Sequence, residues 1–129
     1  MKNKPYDLRQ RSFLFACDIV AFTRRVAERD HVLRHVAWQL VDAGGAVGAN
    51  LEEGVAGQTK PDFITKQFTA LKEAREARFW LRLIAATEPS FKAGALSLIQ
   101  ESTELVAILT ASLKTARSNP YRGEPHAVD

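Results

Sequence analysis

Side chains able to do chemistry are few in this chain, and their spacing narrows what they could do. His31 and His35 stand four residues apart, so one helical face could carry both. A helical di-metal site also needs a Glu-x-x-His step on two helices. Glu73-x-x-Glu76 and Glu101-x-x-Glu104 have the carboxylates at that step without the histidine. The two histidines are therefore read as exposed or capping residues, and no metal is expected. Cys17 lies between Ala16 and Asp18 in an apolar stretch and reads as a residue on the flank of a core, not as a nucleophile. As the single cysteine it allows no internal disulfide. No Gly-x-Ser-x-Gly segment occurs, and Gly54-Val55-Ala56-Gly57 lacks the length and the lysine of a phosphate-cradling loop. No catalytic residue, no cofactor and no enzymatic activity are expected.

Two polar features remain. Asn50, followed by Glu52 and Glu53, falls on the apolar seam of a helix. A buried asparagine is costly unless paired. With Glu53 and Glu73 it could form a ligand-binding cluster, or it could belong to a satisfied internal hydrogen-bond network. The second feature is a stripe, Ile64, Phe68, Leu71, Arg75, Arg78 and Arg82, stepping by four and three. Its first half is apolar and suits burial against a helix, including one of another subunit. Its arginine half, with Lys72 nearby, could hold phosphate or carboxylate in two-pronged fashion, or could be a solvated face. Glu73, Glu76 and Trp80 lie on the opposite side. Residues 60–88 carry a net positive charge and residues 29–58 a net negative one.

Helices must position these residues. Prolines at 5, 61, 89 and 120 bound three long stretches free of proline, and no stretch alternates with period two for long. Leu8, Ser12, Phe15, Ile19, Phe22 and Val26 predict a helix over about 8–27. Leu33, Val36, Leu40, Ala43, Val47, Asn50 and Gly54 predict a second over about 33–56. Phe63, Gln67, Ala70, Ala74, Ala77, Leu81 and Ile84 predict a third over about 61–86. Ala95, Leu98, Ser102, Leu105, Leu109, Ser112 and Ala116 predict a fourth over about 91–117. Thr59 and Asp62 form a capping start for the third, with Pro61 in its first turn. Gly44 and Gly48 share a face with Ala37 and Val41, which implies close approach of another backbone; a break at Gly44-Gly45 is the alternative. Short connections imply antiparallel neighbours, hence an all-α, up-down-up-down four-helix bundle over 1–118. Residues 119–129 read as a flexible tail.

The whole composition agrees with this. The chain has 129 residues, enough for one domain with a real core. It is 46% apolar and 26% charged, which excludes disorder of the whole chain. No apolar run approaches the ~20 residues of a membrane span, and no signal peptide is read at the start. A cytoplasmic setting is expected. The net charge of +3 permits a nucleic-acid partner without requiring one.

Gln39-Leu40, Gly48-Ala49-Asn50-Leu51-Glu52-Glu53, Asp62-Phe63-Ile64-Thr65-Lys66, Lys72-Glu73-Ala74-Arg75-Glu76 and Phe79-Trp80-Leu81-Arg82-Leu83, with the opening Tyr6-Asp7-Leu8, carry a family likeness. Over about residues 6–117 the chain resembles the four-helix-bundle family encoded in intervening sequences of bacterial 23S ribosomal RNA genes. The departure at Gly44-Gly45 bears only on the regularity of the second helix. The resemblance implies a left-handed antiparallel bundle that assembles as a homopentamer and has no established enzymatic activity. A similar bundle is the accessory protein of diversity-generating retroelements, where a basic pentameric barrel works with a reverse transcriptase and nucleic acid. Asn50, Glu53, Asp62, Lys72, Glu73 and Glu76 match the family motif, and fold and assembly are their expected roles. Ile64, Phe68 and Trp80 join them as assembly candidates. Lys72, Arg75, Arg78 and Arg82 are the nucleic-acid candidates. The expected function is that of an RNA-associated accessory bundle; the alternative is a purely structural or protein-interaction bundle.

Overall fold

The computed structural model describes residues 7–57 and 59–118. Four helices run Leu8–Arg29 (α1), Leu33–Val55 (α2), Lys60–Thr87 (α3) and Lys92–Ser118 (α4), with a 3-10 turn at Pro89–Phe91 leading into the last. No strand occurs among the described residues. The ends differ from the periodic reading by one or two residues. They are set by capping groups, not by the seams. Asp7 accepts from the Arg9 backbone N–H at 3.0 Å and starts α1. The Asp30 carboxylate accepts from the N–H groups of Val32 and Leu33 at 3.0 and 2.9 Å and starts α2. Thr59 accepts from the Asp62 N–H at 3.2 Å and starts α3. The tail expected at 119–129 lies outside the described residues.

Consecutive helices are antiparallel, and contacts along each groove show it. Early α3 meets late α4 where Gln67 donates to Ser112 at 2.9 Å, and later α3 meets earlier α4 where Arg78 reaches Thr103 at 3.5 Å. Lys66 of α3 pairs with Glu53 near the end of α2 at 2.7 Å. The last edge, α1 on α4, is closed by Arg11. Its Nε donates to Glu101 Oε2 at 2.7 Å, an Nη to Glu101 Oε1 at 3.0 Å, and the same Nη to Glu104.

The core follows the seams. Phe15, Ile19, Phe22, Leu40, Leu81, Ile84 and Leu105 fill one half, and Val47, Leu51, Ala70, Leu71, Ala74, Leu109 and Leu113 fill the other. Each large side chain so buried contributes roughly 1.5–3 kcal/mol. Ala70, Ala74 and Ala77 are fully buried in the middle of α3 and let its neighbours sit close. Ile64, expected to bury against a helix of this chain or of another subunit, packs half-buried against the second cluster of its own chain. Cys17, expected on the core's flank, is exposed.

Helix α2 is unbroken across its glycines. A methyl on Gly44 would meet Ile19 of α1 at 3.0 Å, and one on Gly48 would sit 3.6 Å from the Ser12 backbone. Close approach therefore explains Gly44 and, more loosely, Gly48. A methyl on Gly45 meets nothing within 4 Å. Gly45→Ala is therefore expected to raise stability by up to about 1 kcal/mol through helix propensity. Gly44→Ala is expected to lower it, because the buried Ile19 has no room to retreat. Urea unfolding of the two variants checks the contrast.

Candidate nucleic-acid interface

Helix α3 separates its charges by face. Arg75, Arg78 and Arg82 recur at steps of three and four, so they line one edge, and the Arg78–Thr103 contact fixes that edge toward α4. Arg75 and Arg82 are exposed and Arg78 is half-buried. The first and last lie about 10 Å apart along the axis. Three carboxylates of the two helices, Glu76, Glu101 and Glu104, are engaged elsewhere. Glu101 and Glu104 hold Arg11 of α1. Glu76 accepts from the Trp80 indole N–H at 3.0 Å, and Glu73 lies near enough to Asp42 of α2 for the two charges to interact.

Helix α4 adds to the arginine edge. Lys114 and Arg117 line a shallow cleft of about 450 Å³ with Phe68, Leu71, Thr110, Leu113 and Ser118. The Arg117 guanidinium sits 5.6 Å from the centre of the Phe68 ring. Lys92, Thr103 and Lys114 are eleven residues apart in turn, a spacing that returns to nearly the same helical angle. Lys92 therefore shares the line on which Thr103 meets Arg78. None of Arg75, Arg82, Lys92, Lys114 and Arg117 forms an ion pair among the described residues. Reading α3 alone missed the three α4 cations. The two eleven-residue steps from Lys92 through Thr103 to Lys114 were the available signal, but they acquire meaning only once α4 is laid beside α3.

The other candidates do not converge. Asn50 donates into its own helix, to the Ala46 carbonyl at 2.8 Å. Glu53 is exposed and pairs with Lys66, a contact worth at most about 1 kcal/mol at such a surface. Asp62 is exposed in the first turn of α3, where a carboxylate suits the helix dipole. The Asn50–Glu53–Glu73 cluster is thus not assembled. Lys72 is exposed beside Glu73 and interacts with it. Trp80 is half-buried and packs edge-on against Phe79, ring centres 5.0 Å apart. His31 and His35 are exposed. Among the described residues no three His, Cys, Asp or Glu side chains gather as a metal site.

The carboxyl of Glu73 is displaced from its ordinary range. Burial pushes its pKa up, Glu76 and Asp42 push the same way, and Lys72 opposes them. A carboxyl raised in the folded state takes up its proton before the unfolded chain does. Its penalty is therefore full above the folded value and fades as pH falls toward the ordinary value of 4.5. Glu73→Gln is expected to be more stable than the parent at neutral pH, with the gap closing on acidification. Urea midpoints at the two pH values measure this.

Comparison with known proteins agrees with the architecture. Residues 4–111 match the family model described as 23S rRNA-intervening sequence protein. A crystal structure of a protein of unknown function from the S23 ribosomal protein family of Bacteroides thetaiotaomicron is similar, with a TM-score of 0.77 and 31% sequence identity. The match covers 83% of this chain and 98% of that one. No curated protein matches.

Proposed function

The chain belongs to the 23S rRNA-intervening sequence protein family, and on that premise we propose that it is a non-catalytic, homo-oligomeric bundle that associates with RNA through its α3–α4 face. The observation that carries this reading is the segregation of charge. Six basic residues, Arg75, Arg78, Arg82, Lys92, Lys114 and Arg117, recur on one face of α3 and α4, while Glu76, Glu101 and Glu104 are engaged on other edges. Such a face suits a polyanion, and guanidinium groups suit phosphate in particular. No helix among the described residues is long and apolar enough to cross a membrane, and the proposed setting is the cytoplasm.

The oligomer has its own support. On the α1–α2 side Phe13, Val20 and Trp38 are 59%, 39% and 64% exposed. Val20 and Trp38 border a shallow cleft with Ala27, Ala37 and Val41. Arg24 and Glu28 also line the cleft, and this largely apolar face of α1 and α2, which holds none of the six cations of α3 and α4, suits a second copy of the chain. A homopentameric ring needs a heterologous contact, so the face would meet a different patch on the next copy.

The test is the binding of a labelled RNA by the intact protein at low and at physiological salt, with its mass in solution measured alongside. Salt-sensitive binding by an assembly larger than the 14.3 kDa chain supports the reading. An assembly with no RNA affinity at low salt points instead to a structural bundle.

A further inference from the structure

We propose that the cleft between Phe68 and Arg117 holds an unpaired nucleobase, so that the α3–α4 face prefers single-stranded over duplex RNA. This deepens the RNA reading and rests on it. The cleft has an apolar floor, Leu71 and Leu113, both buried, and one aromatic wall, Phe68, left 42% exposed. Its volume is about 450 Å³, and it is open to solvent along one side.

The rim decides what kind of ligand fits. Lys114 and Arg117 stand on it, and no carboxylate does among the described residues. Along α3, Arg75 follows Phe68 by seven residues, two helical turns or about 10 Å, with Arg78 and Arg82 beyond it. An apolar, aromatic-walled cleft at the head of a line of cations matches a chain that alternates flat bases with phosphates. Sequence-tolerant single-strand binding is built in this way, with a basic track and an aromatic stacking platform. The Arg117 guanidinium, 5.6 Å from the centre of the Phe68 ring, gives way to a base that stacks there and turns to its flanking phosphate, with Lys114 and the arginine line taking the other phosphates. A duplex keeps its bases inside and can use only the arginines. A second copy of this chain, whose residues 29–58 carry a net negative charge, is the competing occupant, and the mass of the Phe68→Leu variant in solution tells the two apart.

The experiment compares a short unstructured RNA with a duplex RNA of equal length by fluorescence polarisation. It uses the full chain, its Phe68→Leu variant and its Phe68→Tyr variant. Phe68 is well exposed, and leucine keeps the helix and most of the apolar contact. The parent is expected to favour the single strand. Phe68→Leu is expected to weaken single-strand binding about tenfold, within the range given by loss of one base–aromatic stack. Duplex binding, salt dependence and mass in solution stay as they were, and Phe68→Tyr restores the preference. If the parent binds both RNAs alike and Phe68→Leu changes neither, the base site is wrong while the phosphate reading stands. If Phe68→Leu alters the mass in solution, Phe68 is a protein contact and the base site is equally wrong. If the parent binds no RNA at all, both readings fall.

Discussion

Replacing Arg75, Arg78 and Arg82 together by glutamate weakens RNA binding by about 100-fold or more at low salt. Each phosphate contact removed flattens the dependence of single-strand affinity on salt by about 0.7 of a unit of slope. Reversing the charge adds repulsion to the loss. The fold has little reason to respond. Arg75 and Arg82 are exposed and form no ion pair among the described residues, and the Arg78 contact with Thr103 is long at 3.5 Å. Glutamate is as good a helix former as arginine, within a few tenths of a kcal/mol. Circular dichroism and mass in solution should therefore match the parent. Undiminished RNA binding by a folded triple variant would take these three residues out of the interface. The same three changes to lysine should retain most of the affinity for a mixed RNA, since charge dominates non-specific contact.

Arg11→Met is expected to destabilise the bundle by about 2 kcal/mol, the scale of hydrogen bonds to charged groups. The side chains of Arg11 and Glu101 are only 13% and 18% exposed, and two parallel hydrogen bonds join them. Those bonds, with the neighbouring charge of Glu104, hold the guanidinium pKa above its ordinary value, although burial opposes them. Arginine is charged at every relevant pH, so the contribution does not depend on its titration. Methionine keeps the apolar stem and removes the fork. Glu101 then loses both guanidinium bonds while still largely buried, and Glu101 and Glu104 face one another across one helical turn. Urea unfolding measures the loss. Replacing Glu101 and Glu104 by leucine in the same variant should recover much of it, because a part-buried ion pair is weak support compared with apolar packing. A change below about 0.5 kcal/mol in Arg11→Met, the scale of an ordinary surface substitution, would mean that the α1–α4 edge is closed by packing alone.

These two residue sets were unequally visible in the sequence. The arginine line lies within one helix, and its three-and-four spacing places it on one edge without any knowledge of the neighbours. The seams were legible for the same reason. Ser12, Gln67 and Ser102, polar residues on those seams, are indeed buried with them. Arg11 was not legible, because its partners lie 90 and 93 residues away. Periodicity gives a face, not the partner opposite it. Asn50 left two readings open, a ligand-binding cluster and a satisfied internal hydrogen bond. An asparagine in a helix can satisfy itself on the carbonyl four residues back, and it does. Phe68 and Lys114 belong to different helices, so the cleft between them exists only once α3 and α4 are antiparallel and in register.

The most direct test of the account is a salt titration of RNA binding by the unmodified protein. The slope of log affinity against log salt counts the phosphates neutralised. Six cations gathered on one face predict a slope of about −3 to −4 for a single strand if most of them engage, at roughly −0.7 per contact. A slope near zero, or no binding at low salt, would contradict the claim that the α3–α4 face is made for a polyanion.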